Sequence, residues 1–197
     1  TMYVPRHFSE DDSEKLAAFI DENAFGVLVT VAESRPFASH IPFLYERNAN
    51  VLLGHVARAN PQWQHFSNAA DVMVLFQGPH AYISPSWYVS PGVPTWNYVV
   101  AHVYGAARVV DDPSRIKGIV EALTEKNERD NNTPWVPTYD PKMLGAIVGI
   151  EITVKEVQGK LKLSQNRSAA DRAAVVSQLE ASGSENNAAL ARLMKAR

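Results

Sequence analysis

Long apolar runs with little polar alternation fill the first half of the chain, and they predict strands covered on both faces. Phe25 to Val31 (Phe-Gly-Val-Leu-Val-Thr-Val) is β-branched and nearly all apolar, the pattern of a strand buried on both sides or closing a barrel. After a turn at Glu33-Ser34-Arg35, Pro36 to Tyr45 reads as a second strand, and Asn48-Ala49-Asn50 turns it into a third at Val51 to Val56. Pro42 has no backbone donor, so an edge or a bulge is expected there, where a ligand reaches backbone groups. Asp71 to Gln77 is another apolar strand, and Gly78-Pro79 predicts a turn into His80 to Ser84. Val99 to Val110 follows, with a bulge or a close backbone approach at Gly105. Gly145 to Val157 is the last long strand, and Gly159 predicts a turn into the alternating Lys160-Leu-Lys-Leu163, Lys out and Leu in.

Between and after these runs the apolar period becomes helical. Ser9 with Asp12 predicts a helix start, with Leu16, Phe19 and Ile20 on one face to about Glu22. Asn60-Pro61 opens a short helix to Phe66. Asp112-Pro113 is a cap followed by a first-turn proline, and Ile116, Ile119, Val120 and Leu123 make an amphipathic helix to about Glu128. Ser168 with Asp171 starts a helix carrying Val175, Val176 and Leu179; Gly183 ends it, and Leu190, Leu193 and Met194 form a second stripe. About seven meandering strands, one crossover helix and a C-terminal helical pair predict a mainly β fold with peripheral helices, a small closed or split antiparallel β-barrel. Residues 1–167 form the barrel in this reading, and 168–197 a helical appendage.

Composition narrows the class without naming a task. The 197 residues are 46% apolar and 20% charged, as in an ordinary globular protein. No apolar run reaches the ~20 residues that span a bilayer, and Thr1 to Pro5 shows no basic region leading into an apolar core, so no secretory signal is read and the cytoplasm is the expected location. Absence of cysteine excludes disulfides, thiolate metal sites and cysteine nucleophiles. Net charge is −2, which recruits no nucleic acid globally. From Lys160 onward seven Lys/Arg face three Asp/Glu, a mildly basic tail that leaves direct DNA binding as a weak option.

Candidate chemistry concentrates in two places. Val51-Leu52-Leu53 leads through Gly54-His-Val-Ala-Arg-Ala-Asn-Pro-Gln-Trp63, delivering Arg58 to a helix start whose unpaired N–H groups and guanidinium suit a phosphate or carboxylate. The same residues also suit an ordinary strand-to-helix turn with Arg58 in solvent. Ser84 to Tyr98 packs three prolines and four large aromatics into fifteen residues, an ordered loop over either a ligand or a core. The six histidines show no metal-ligand spacing, and no GxSxG, GxxxxGK[ST] or GxGxxG occurs.

Four separated motifs carry a resemblance: Gly54 to Trp63, Gly78-Pro-His-Ala-Tyr-Ile-Ser-Pro-Ser-Trp-Tyr88, Val93-Pro-Thr-Trp-Asn-Tyr98 and Lys160-Leu-Lys-Leu-Ser-Gln-Asn-Arg167. In order and spacing they resemble the PaiB-like FMN-binding negative regulators of transcription, over about Met2 to Leu179. That family is similar in fold to the pyridoxamine-phosphate-oxidase-like split barrels, homodimers with FMN at the subunit interface. The resemblance implies FMN as cofactor, its phosphate on Arg58 and the turn to Asn60, His55 nearby, and Ser39, His40 and Ile41 along the isoalloxazine. It further implies pocket contributions from Trp96, Asn97, Tyr98, Lys162, Ser164 and Gln165, from the same or the partner subunit. The strand Val99 to Gly105 lacks the Arg-Gln pair of the oxidase relatives, which counts against pyridoxamine phosphate oxidation. Two functions stay open: a flavin-linked regulator or sensor, and an FMN-dependent oxidoreductase acting on a small aromatic or quinone-like substrate. The resemblance assigns no catalytic residue.

Overall fold

The computed structural model describes residues 1–67, 71–129 and 131–197. Among them the chain forms β1 (Ser9–Glu10), α1 (Ser13–Glu22), β2 (Phe25–Ala32), β3 (Arg35–Pro42), β4 (Leu44–Glu46), β5 (Val51–Ala57), β6 (Val72–Ile83), β7 (Thr95–Val110), α2 (Pro113–Glu128), α3 (Pro141–Leu144), β8 (Ile147–Lys162), α4 (Ala169–Ala181) and α5 (Glu185–Lys195). The strands hydrogen-bond in the order β3-β2-β6-β7-β8-β5-β4, with β1 on β8. This path does not return on itself, so the sheet is of the split kind and not a closed barrel. Contacts divide the chain into two compact units, Thr1–Leu16 with Gln77–Ala101 and Gln158–Arg197, and Ala17–Phe76 with His102–Val157.

In the second unit β2 and β3 pair antiparallel along their whole length, Phe25↔Pro42 to Ala32↔Arg35, while Val27↔Leu75 and Val29↔Met73 join β2 to β6. Pro42 therefore closes a strand at the end of the sheet order, where a missing donor costs least. The second strand expected from the sequence breaks at Phe43, whose N–H turns to the Ala24 carbonyl. Alternation sends Leu28, Val74 and Phe76 to a fully buried face and leaves Val27, Val29, Met73 and Leu75 half-buried on the other. Helix α2 starts as its cap dictates, with Asp112 Oδ1 accepting from the Arg115 N–H at 2.8 Å. Its Ile116, Ile119 and Leu123 bury against Val51, Leu53, Val110 and Leu144, each worth about 1.5–3 kcal/mol of burial. Gly105 is a close approach, since a Cβ there would overlap the Thr153 carbonyl.

The first unit corrects three expectations. Gly78-Pro79 makes no turn and β6 runs through it, because the backbone polar groups of the next residue are met from outside the sheet: His80 N–H and C=O pair with the Asn186 side chain at 3.3 and 2.6 Å. Gly159 likewise lies within β8, opposite Glu10; a Cβ there would meet Leu16 and the Glu10 carbonyl, so the glycine admits β1 and does not reverse the chain. At the N-terminus Asp12, not Ser9, caps α1, accepting from Glu14 and Lys15 N–H, while Ser9 pairs in β1. The C-terminal helices begin where serines cap them, Ser168 on Asp171 N–H and Ser184 on Asn187 N–H, and bury Leu163, Val175, Leu179 and Leu190 completely.

Candidate functional site

The structure places six of the twelve expected site residues in each unit. In the second unit, Arg58 leaves the end of β5 with its N–H on the Ala146 carbonyl at 2.8 Å. Its guanidinium is not waving in solvent. Nε donates to the Gly145 carbonyl at 2.9 Å, and Nη2 to the Ile147 carbonyl at 3.1 Å and to Asp111 Oδ1 at 2.5 Å. The side chain stays 40% exposed and Asp111 61%, so an incoming anion can reach the pair. Residues Pro61–Ser67 coil as a 3₁₀ helix, and Asn60 Oδ1 already accepts the Gln62 N–H at 3.0 Å. What suits an anion here is therefore the guanidinium itself and not the helix end.

Asn60 also joins strands. Its Nδ2 donates to Ser39 Oγ at 2.9 Å, which brings β3 to the turn that carries Arg58. His40 lies outward, its ring tilted against Phe25 at 6.4 Å, and Ile41 points into the core. His55 Nδ1 is buried with no hydrogen-bond partner, and burial pulls the imidazole pKa below its ordinary value. No sequence signal singles out Gln62, which is fully buried and bridges β2 and β3 through Nε2 to the Leu28 carbonyl, Thr30 Oγ1 and the Phe37 carbonyl. Its Oε1 is a second buried polar atom without a partner. Trp63 Nε1 closes the motif on the Arg58 carbonyl at 3.1 Å.

In the first unit, four of the six residues spend their polar groups on the chain. Asn97, fully buried, donates to Ser164 Oγ at 2.9 Å, and Gln165 closes its own turn by accepting from Leu163 N–H and donating to the Leu161 carbonyl. Lys162 Nζ donates to Thr95 Oγ1 at 2.5 Å and the Trp96 carbonyl at 2.6 Å. Burial, aided by the like charge of Lys160, draws its pKa below the ordinary ammonium value. Lys160 is not on a solvated face: it is 8% exposed, between the rings of Tyr3 and Tyr98. Trp96 is exposed beside Tyr82 and His80. Much of the basic tail is internally engaged, Arg197 with Glu10, Lys195 with Glu180 and Arg172 with the Met194 carbonyl. Among the described residues no three His, Asp or Glu side chains converge as a metal site, and no helix is long and apolar enough to cross a membrane.

Residues 2–156 match the model of a family described as "Putative FMN-binding domain". The chain is 38% identical over 201 residues to the Protease synthase and sporulation protein PAI 2 of Bacillus subtilis, covering 98% of this chain and 97% of that one. Among solved structures it is similar to the flavocytochrome Anf3 of Azotobacter vinelandii, with a TM-score of 0.68 at 15% identity over 87% of this chain and 78% of that one. It is similar also to a FAD and heme binding protein of Mycobacterium smegmatis, with a TM-score of 0.65 at 18% identity over 84% and 78%. At those identities the two structures speak to fold alone.

Proposed function

The chain belongs to this FMN-binding domain family, and from that premise we propose that it is a homodimeric, cytoplasmic FMN-binding protein of the PaiB-like regulatory type, with the flavin as its sensing or redox group. The family match across residues 2–156 carries the flavin reading, and the residues fit the cofactor. Arg58 offers a reachable cation, Ser39 and Asn60 offer polar groups beside it, and the orphaned His55 Nδ1 is a buried atom for a ligand to satisfy. In this reading Arg58 and Asn60 hold the phosphate and Ser39, His40 and Ile41 line the ring. In the dimer the partner subunit supplies Trp96 and Tyr98 as further contacts, which its Asn97, Ser164 and Gln165 keep in position. When bound, FMN supplies hydride or single-electron transfer.

Asp111 gives this assignment a test of its own. A phosphate and Asp111 compete for one guanidinium, so Asp111→Asn is expected to tighten FMN by about two- to fivefold, the worth of an exposed ion pair. Riboflavin, which has no phosphate, should not respond in a fluorescence titration. An FMN affinity that does not move would separate Asp111 from the phosphate site.

Full-length likeness to PAI 2 supports the regulatory side of the reading. A groove-reading regulator presents a helix pair joined by a short turn to DNA, and α4 and α5 are joined through Ser182, Gly183 and Ser184. Yet Asn186, at the start of the second helix where base-reading residues would lie, is held by His80. Regulation through a flavin-dependent dimer surface fits the charges better than groove reading by this chain. The oxidoreductase reading is kept alive by a cleft in the first unit.

A further inference from the structure

A cleft of about 360 Å³ lies wholly within the first unit, with Phe8, Tyr88, Gly92, Thr95, Lys162 and Arg167 in its lining. Two cations face it and their charge is poorly met. No carboxylate among the described residues pairs with Lys162, which donates to a hydroxyl and a carbonyl. Arg167 approaches Asp171 only through Nε, at 3.8 Å. Asp171 is itself committed: Oδ1 accepts from Val89 and Ser90 N–H at 2.9 and 3.0 Å, and Oδ2 from Ser90 Oγ at 2.6 Å. The guanidinium carbon sits over the Tyr88 ring, 3.8 Å from its centre, and the terminal nitrogens donate only to the Pro91 carbonyl, at 3.3 and 3.4 Å. Gly92 belongs to this construction, because a Cβ there would overlap both the Arg167 guanidinium and the Tyr88 ring.

Excess positive charge between aromatic walls selects a flat molecule with an anionic edge. We propose that this cleft binds a small aromatic carboxylate, as substrate or effector, with its carboxylate on Arg167 and Lys162 and its ring along Tyr88 and Phe8. The inference deepens the FMN reading and rests on it for the role of the ligand, though not for its binding. A competing source of the same chemistry is the flavin's own phosphate. The depressed pKa of Lys162 agrees with a cation that lacks an anion of its own.

Calorimetric titration of the full chain, with and without saturating FMN, separates the cases using benzoate and its uncharged analogue benzamide. Benzoate is expected to saturate at one site per chain in both forms, with benzamide at least tenfold weaker. Arg167→Met and Gly92→Ala should each weaken benzoate at least tenfold while FMN affinity stays within twofold, and Arg167→Lys should recover part of the loss. Gly92→Ala, which keeps both charges, is the readout should Arg167→Met fail to fold. The inference is overturned if benzoate does not saturate, if benzamide matches it, or if Gly92→Ala binds benzoate like the wild type. Competition of FMN with benzoate, or a parallel loss of FMN in the variants, would also overturn it by making the cleft the phosphate site, and would leave the flavin reading standing. Benzoate binding by a chain that takes no FMN would support the cleft and remove the flavin reading alone.

Discussion

Arg58→Ala is expected to lower FMN affinity by about ten- to a hundredfold and to leave riboflavin binding nearly unchanged. A hydrogen bond to a charged partner contributes about 1.5–3 kcal/mol, and each 1.4 kcal/mol is about tenfold in affinity. The comparison with riboflavin matters because Arg58 also holds the chain together, tying Asp111 and the carbonyls of Gly145 and Ile147. A purely structural loss would weaken both ligands alike. Arg58→Lys keeps the charge but not the fork of donors, and should fall between wild type and alanine. Equal weakening of FMN and riboflavin by Arg58→Ala would show that Arg58 does not read the phosphate.

The second large effect concerns assembly. Wild-type protein should sediment as a dimer at micromolar concentration, and Val29→Arg should raise the dimer dissociation constant at least about a hundredfold. Val27 beside Leu75 and Val29 beside Met73 make a half-buried apolar patch on β2 and β6, flanked along β2 by Phe25 and Val31, 66% and 61% exposed. An apolar face of this kind marks an interaction surface. A cation placed in its centre loses the burial of valine and adds the desolvation of an unpaired charge, several kcal/mol together. Leu28 and Thr30 face the other way and are buried, so the substitution spares the core. A wild-type monomer that retains FMN would defeat the dimer.

What the sequence made legible was local. Asp112-Pro113 and Ser168 with Asp171 each contain the whole reason for a helix start, and both helices begin there. Arg58 was readable as a cation at a strand end, but its partners come from Asp111 and from residues 87 to 89 positions along the chain, which no local pattern announces. The two turns read at Gly78-Pro79 and Gly159 failed for the same reason. Glycine and proline punctuate a chain unless a distant group covers the gap, and here Asn186 and β1 do so. The polar run after Lys162 looked like ligand donors, whereas Asn97, Ser164 and Gln165 turn those groups on one another and on the backbone. The motifs that carried the family resemblance were legible throughout, because their identity does not depend on knowing what each residue touches.

Flavin binding is the claim on which the rest depends, and it is tested most directly by titrating the flavin-stripped full chain with FMN while following flavin fluorescence. Saturable, noncovalent binding of one FMN per chain is expected, with riboflavin weaker by the contribution of the phosphate. A chain that is folded by circular dichroism yet shows no saturable change up to millimolar FMN would contradict it.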